Sequence, residues 1–404
     1  MKADFMAVDR EEPTSAMEPL LVGGGSRHRA ALTDLAFELT QHSAGFRRSL
    51  PPSLLASLAN LVRAMNCYYS NLIEGHDTHP VDIERALKND YSKDAHKRDL
   101  QLEARAHINV QRWIDEGGLR GGLAVKVEGI CEIHRRFCEL LPEDLLWVED
   151  PVTKERHRVV PGELRKRDVQ VGRLVAVSPG ALPRFLQRFE QVYGNLGKTE
   201  SIIATAAAHH RLLWVHPFLD GNGRVARLMS HAVLLDTLHT GAVWSVARGL
   251  ARNVNEYKEL LANYDLPRRN DLDGRGAPSE EALADFTRFF LTICIDQVTF
   301  MEGLVQPDHL RARILLWAEE EIRFGKLPPK SGSILEAVLY RGELPRGNAD
   351  SVVGTGSRQA RRIVSALVER GVLESESPRA PLRLTFPAAL AQRWMPGLFP
   401  EKIG

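Results

Sequence analysis

His216-Pro217-Phe218-Leu219-Asp220-Gly221-Asn222-Gly223-Arg224-Val225-Ala226-Arg227 interrupts two helical runs, SIIATAAAHHRLLWV before it and VARLMSHAVLLDTL after it. A compact loop therefore feeds the start of a helix. The first N–H groups of a helix have no partner within it, and glycines let a ligand approach them, so the loop can hold an anion without further side chains. Phosphate is the obvious occupant. Arg224 and Arg227 stand three apart in the first turn and share one face. Cations there oppose the helix macrodipole by roughly 0.3–1 kcal/mol each, a conflict that a bound polyphosphate turns into charge-assisted pairing. Asp220 offers a hard oxygen to Mg²⁺, which binds through one or two carboxylates plus phosphate oxygens. His216, with an ordinary pKa near about 6.5, can take a proton from an incoming hydroxyl. Phe218 is read as the loop's anchor in the core. Taken singly these features are ordinary: Asp-Gly-Asn-Gly is a common turn, and His209 and His210 are read as plain core or surface histidines. Together, in this order and spacing, they form a motif.

Outward from the loop the hydrophobic spacing is helical almost everywhere, which predicts a mainly α fold. Leu54, Leu55, Leu58, Leu61, Val62 and Met65 predict a helix entered at Pro51-Pro52-Ser53 and stopped at Glu74-Gly75. Ile130, Ile133, His134, Phe137 and Leu141 form a later stripe. Between Arg158 and Val177 the valines and Gly162 and Gly172 predict a short β-hairpin. A polar stretch, DLPRRNDLDGRGAPSEE, precedes a last long helix from Ala282 to about Leu304. Beyond Pro307, helical stretches at Ile334–Tyr340, Ala349–Val353 and Ser357–Glu369 followed by an alternating segment from Val372 to Phe386 describe a winged helix-turn-helix. The expected organisation is a tail over 1–45, a helical region over 46–110, a helical domain holding the motif loop and the short hairpin over 111–305, and a winged-helix domain over 308–404. The first residues, ending in Gly23-Gly24-Gly25-Ser26, read as a mobile segment with little function.

The 404 residues are 44% hydrophobic, ample for several buried cores. Lys and Arg number 53 against 52 Asp and Glu, so a net charge of +1 gives no global field toward nucleic acid or an anionic membrane. Four cysteines without a CxxC pair read as reduced, buried thiols. With neither a signal peptide nor a membrane span in evidence, the expected location is the cytoplasm.

The loop matches the signature HxFx(D/E)GNGRxxR at every defined position, and the chain from about Leu100 to Leu304 resembles a Fic-domain protein. The resemblance implies a protein adenylyltransferase that moves AMP from Mg·ATP to a Ser, Thr or Tyr hydroxyl of a protein target. It implies His216 as general base and Asp220 as ligand of Mg²⁺. Gly221, Asn222 and Gly223 become the phosphate cradle, Arg224 and Arg227 the β- and γ-phosphate contacts, and Tyr257 a further member of the ATP site. It also makes the hairpin a flap that docks the target as an added strand near Asp168, Val169, Gln170 and Val171.

Ser70-Asn71-Leu72-Ile73-Glu74-Gly75 resembles the inhibitory motif (S/T)xxxE(G/N) of the same family. In that reading Ser70, Glu74 and Gly75 form a brake, with the Glu74 carboxylate pairing with Arg227 where the γ-phosphate belongs. Two other functions stay open: a hydrolase that removes AMP, and a DNA-binding regulator in which the Fic domain senses nucleotide. In the winged helix, Arg358, Arg361 and Arg362 could reach DNA, and a protein contact or a homodimer is the competing use.

Overall fold

The computed structural model describes residues 7–150, 153–172, 174–266, 268, 273 and 278–400. Most of the polar stretch from Asp265 to Glu281 lies outside the described residues. The fold is mainly α, with sixteen α-helices and three small antiparallel sheets among the described residues.

Helix α1 (Arg29–Arg48) arises from a stripe of Leu32, Ala36, Leu39 and Phe46, all buried. Helix α2 (Pro52–Ile73) begins with Pro52 in its first turn and ends before Gly75, whose φ of +88° suits glycine. Helices α3 (Pro80–Leu87), α4 (Ala95–Asp115) and α5 (Val127–Cys138) follow. Strands β1 (Trp147–Glu149) and β2 (Arg156–Arg158) form a hairpin, and β3 (Gln170–Val171) and β4 (Leu174–Val175) form a second, with Gln170 opposite Val175. The valine-rich segment thus yields a hairpin only two residues deep. Val159 and Val177, which read as strand residues, are buried outside its strands, and the Val159 N–H donates to the Leu146 carbonyl at 2.8 Å next to the β1–β2 pairing.

Helix α6 (Leu182–Tyr193) leads to α7 (Lys198–Val215) and α8 (Asn222–Leu238), the pair that flanks the motif loop and forms the centre of the molecule. Both are buried nearly all round, so neither shows a one-sided stripe in sequence. Helices α9 (Val246–Arg252), α10 (Val254–Tyr264) and α11 (Glu280–Val305) complete this body, with α1 and α7 packed on α11.

Next come α12 (Pro307–Arg323), α13 (Ser331–Arg341), β5 (Glu343–Leu344), α14 (Ala349–Val353), α15 (Ser357–Glu369), β6 (Leu373–Glu374), β7 (Leu382–Leu384) and α16 (Ala391–Trp394). The sheet order is β5-β7-β6, with α13, α14 and α15 preceding the β6–β7 hairpin in the chain. Gln306-Pro307, which reads in sequence as a break, separates α11 from α12, with Pro307 the first residue of α12.

Both ends of the chain are woven into the centre. Where the sequence reads as a mobile tail, residues 7–22 lie against α6 and the second hairpin, and the stretch from Arg29 is helix. The Val8 carbonyl accepts from Gly180 N–H at 2.8 Å, Glu12 takes the N–H and hydroxyl of Ser178, and Asp9 pairs with Arg184. A Cβ at Gly180 would press on Asp9 and on the Ala7 carbonyl, so the close approach depends on a glycine there. At the other end, Leu398 is buried and its carbonyl accepts from the Tyr69 hydroxyl at 2.8 Å, while Phe399 meets Tyr68 edge-on. The carboxy-terminal segment therefore holds the last turns of α2. Among the described residues no single helix is long and apolar enough to cross a membrane.

Candidate active site

Helix α7 ends at His216, which takes the left-handed conformation (φ 50°, ψ 62°) and turns the chain sharply into the loop. A non-glycine residue there costs roughly 1–2 kcal/mol and persists only where its surroundings over-determine it. The His216 N–H donates to the Leu212 carbonyl at 3.0 Å, and the ring Nδ1 lies 3.3 Å from the Leu213 carbonyl. A carbonyl accepts, so Nδ1 carries the hydrogen and Nε2 keeps a free lone pair. Burial, outweighing the other influences, lowers the His216 pKa to about 4, so the imidazole is neutral at pH 7 and able to accept a proton.

Phe218 is fully buried and stacks on His134 with ring centres 3.9 Å apart, which pins the loop to α5. Asn222 closes the loop from the other side: its amide donates to the Phe218 carbonyl at 2.9 Å and accepts from the Phe218 N–H at 3.0 Å. The Asn222 side chain is thereby committed to holding the loop's shape. Gly221, at φ +79°, opens α8 in a conformation suited to glycine. Asp220 is exposed at the edge of the loop, placed to share a cation with a phosphate ligand. Among the described residues no group of three or more acids, histidines or cysteines could hold a metal unaided. A Mg²⁺ bound through one carboxylate and the phosphates of its nucleotide fits this donor set.

The two arginines of α8 are buried and both are occupied. Arg227 donates to the Ser70 hydroxyl at 2.9 Å and the Ser70 carbonyl at 3.3 Å, and pairs with the Glu74 carboxylate. A Cβ on Gly223 would collide with that carboxylate, so Glu74 lies directly over the N-terminus of α8. Burial pushes the Glu74 pKa up, but the pull of Arg227 and then Arg224 outweighs it and holds the carboxyl below its usual range. Arg224 pairs with Glu103 of α4, which also takes Nδ1 of His76 at 3.0 Å. Glu103 is likewise held low, because His76 and Arg224 together overcome its burial. His76 is raised, chiefly by its hydrogen bond to Glu103.

Ser70, Glu74, Gly223, Arg224 and Arg227, distant in sequence, thus converge. Tyr257 is near them but faces inward. It is almost wholly buried, and its hydroxyl donates to His209 Nε2 at 2.7 Å, His209 Nδ1 bonds the Ser230 hydroxyl at 2.9 Å, and Ser230 donates to the Ala226 carbonyl at 2.8 Å. This chain supports α8 from behind, and the reading of His209 as a core histidine agrees with its full burial. On the opposite flank, Asp168, Val169, Gln170 and Val171 run along the outer hairpin. Asp168 pairs with Arg10 at 2.8 Å, and Val171 is exposed.

Glu103 and His76 escaped the sequence reading. Glu103 had a signal, a polar stripe where an apolar one belongs, since Glu103, His107 and Gln111 recur every four residues on the buried face of α4. A buried acid on such a stripe calls for a cation, and Arg224 is that cation.

The Fic/DOC family model matches residues 124–234. The protein adenylyltransferase Fic of Drosophila persimilis is 29% identical over 170 residues, 42% of this chain and 30% of that protein. Its counterpart in Drosophila grimshawi is 30% identical over 171 residues, 42% of this chain and 32% of that protein. The matched stretch therefore spans about a third of the length of these curated relatives. Among solved structures, a Fic family protein from Desulfovibrio desulfuricans G20 shares the fold over 90% of this chain and 98% of its own, with a TM-score of 0.51 and 16% identity. Fic-1 (residues 134–508) from C. elegans does so over 69% and 74%, with a TM-score of 0.52 and 17% identity. The loop between α7 and α8 therefore lies inside the stretch, residues 124–234, that is similar to the Fic/DOC family.

Proposed function

We propose that the chain is a protein adenylyltransferase that transfers AMP from Mg·ATP to a Ser, Thr or Tyr hydroxyl of a protein, and that Glu74 restrains it. The carrying observation is the Glu74 carboxylate paired with Arg227 over the N-terminus of α8, beside a histidine base that is neutral at pH 7. In the transfer, the target hydroxyl oxygen bonds to the α-phosphorus and the bond from that phosphorus to the bridging oxygen breaks. Pyrophosphate leaves with the bond's electrons, and the hydroxyl proton goes to Nε2 of His216. Gly221 and Gly223 let the free N–H groups of α8 reach the phosphates, and Arg224 and Arg227 neutralise them once their carboxylates release them. Mg²⁺ held by Asp220 would neutralise charge on the phosphates. The hairpin edge at Asp168–Val171 docks the target as an added strand. Four free cysteines, three of them buried, suit a reducing cytoplasm.

The test is label transfer from α-labelled ATP to the purified protein and to a lysate, comparing wild type, Glu74→Gly, and Glu74→Gly with His216→Ala. Labelling that rises in the single variant and vanishes in the double supports the assignment. Equal labelling in all three overturns it, and faster AMP loss by wild type from a pre-modified target assigns the reverse reaction.

A second reading rests on its own observation. Arg358, Arg361 and Arg362 are exposed on α15 and carry no ion pair among the described residues, whereas Arg311, Arg370, Arg383 and Arg393 nearby are each paired with a glutamate. Such a face fits nucleic-acid phosphates. Duplex DNA retention that falls steeply with salt and is lost when all three become alanine would establish it, and a salt-independent absence of binding would exclude it.

A further inference from the structure

Arg165 is an arginine buried in an unexpected place. It lies at the foot of the outer hairpin, is 3% exposed, and directs four side-chain hydrogen bonds to backbone carbonyls. Nε donates to the His216 carbonyl at 2.7 Å, and Nη2 donates to the Val215 carbonyl at 3.4 Å. Nη1 donates to the Arg167 carbonyl at 2.8 Å on one leg of the hairpin, and Nη2 also donates to the Val177 carbonyl on the other. Its backbone N–H donates to the Pro217 carbonyl at 2.9 Å. Removing a guanidinium from water is costly, and here the compensation comes from oriented carbonyl dipoles. Every one of those carbonyls belongs either to the turn that carries His216 or to a leg of the hairpin.

We propose that Arg165 is a positioning residue for the transfer step, a single tie that sets the His216 turn and both legs of the docking hairpin in one fixed relation. This rests on the assignment of His216 as base and of the hairpin as the docking edge. The left-handed turn at His216 needs such over-determination, because a non-glycine residue relaxes out of that conformation when released. The hairpin needs it too, since paired strands of two residues each cannot fix their own orientation. An arginine serves both because its planar fork donates in several fixed directions, which an ammonium cannot do. Electrostatics point the same way. After burial, the Arg165 charge is among the influences that lower the His216 pKa, whereas Asp220 and Glu74, the acids facing the ring from the loop and from α2, raise it.

The experiment uses full-length protein in the Glu74→Gly background and compares Arg165, Arg165→Lys and Arg165→Met by transfer of AMP from α-labelled ATP. The kcat, the KM for ATP, the pH profile and the melting temperature are measured together. Arg165→Lys keeps the charge and loses the fork, so kcat should fall roughly tenfold with little change in KM for ATP, and the acid limb should stay in place. Arg165→Met loses both, so kcat should fall roughly a hundredfold. The acid limb, which reports His216 becoming protonated as pH falls, should move to higher pH because the cation that keeps its pKa low is gone. A folded Lys variant with unchanged kcat overturns the inference, as does an ATP KM that rises as much as kcat falls. If Arg165→Met does not fold, the Lys variant decides alone. If transfer in the background variant does not depend on His216, the assignment of the base fails instead, and the two failures are told apart by Glu74→Gly with His216→Ala.

Discussion

The loop at the centre of this protein has two unlike flanks. On one side the last turns of α2 bring Ser70 and Asn71, both fully buried, and Glu74, whose side chain keeps 32% of its surface exposed, against buried arginines, so the contact is charged and shielded from water on the arginine side. On the other, the outer hairpin presents Val171 and Val175 to solvent, 46% and 60% exposed, and is fastened by ion pairs that water can reach. Each flank is tied to one end of the chain: the amino-terminal segment to the hairpin through Arg10, and the carboxy-terminal segment to α2 through Leu398 and Phe399. Physical chemistry gives the two fasteners unequal strength. A buried, hydrogen-bonded charge pair is costly to break by removing one partner, whereas an exposed pair contributes about 0–1 kcal/mol. The flank at Glu74 is the more firmly fastened of the two, and the flank at the outer hairpin is the more easily opened.

Breaking the strong flank should have the largest effect. On the proposed function, Arg227 cannot serve the Glu74 carboxylate and a γ-phosphate at once, so nucleotide and Glu74 would compete for it. Glu74→Gly should raise AMP transfer by about tenfold or more, equivalent to about 1.4 kcal/mol or above, read by intact mass or autoradiography. Equal transfer by wild type would mean that the pairing restrains nothing.

A subtler break lies one turn earlier. Tyr69→Phe removes the hydroxyl that donates to the Leu398 carbonyl and keeps the ring, next to Ser70, which holds Arg227. A hydrogen bond of this kind contributes about 1 kcal/mol, so transfer should rise roughly fivefold if the carboxy-terminal segment steadies the brake. The same substitution in the Glu74→Gly background should have no effect, because there is then no brake to steady. An equal rise in both backgrounds would show that Tyr69 acts on something else.

The two flanks also differed in how far sequence revealed them. The end of α2 was legible because Gly75 stops the helix and the apolar stripe set its length. The motif loop was legible because its residues are adjacent in the chain. Glu103 was not, since its meaning depends on α4 packing beside α8, a contact that no local pattern encodes. The amino-terminal segment was misjudged for a related reason. Its partners, Asp168, Ser178 and Arg184, lie more than 150 positions away, and an irregular stretch bonded through side chains leaves no periodicity. The hairpin lies within a few residues of its expected place, but the valines overstate its depth, because Val159 and Val177 are buried outside its two-residue strands and Val159 continues the first hairpin's pairing instead.

The smallest expected effect lies on the weak flank, at Arg10. Its guanidinium donates to Asp168 at 2.8 Å and to the Ala176 carbonyl at 3.1 Å, so it spans the two legs of the hairpin from outside, while Arg165 spans them from beneath. The side chain is 40% exposed, and such a pair contributes little to global stability. Arg10→Ala should therefore leave the melting temperature and the KM for ATP almost unchanged. Local opening of the hairpin is another matter, because a two-residue ladder has few bonds of its own and loses two of its external ties. Amide exchange at Ala176, whose N–H donates to the Val169 carbonyl at 3.2 Å at the hairpin's base, should speed up severalfold, while exchange in α8 stays as it was. Labelling of lysate proteins by the Glu74→Gly form should drop about twofold, since a hairpin that must be ordered before it accepts a strand binds more weakly by the fraction of time it is disordered. Unchanged exchange at this amide would show that the amino-terminal segment lies beside the hairpin without fastening it. A slowdown equal to that of Arg165→Lys would show that the two flanks are not unequal after all.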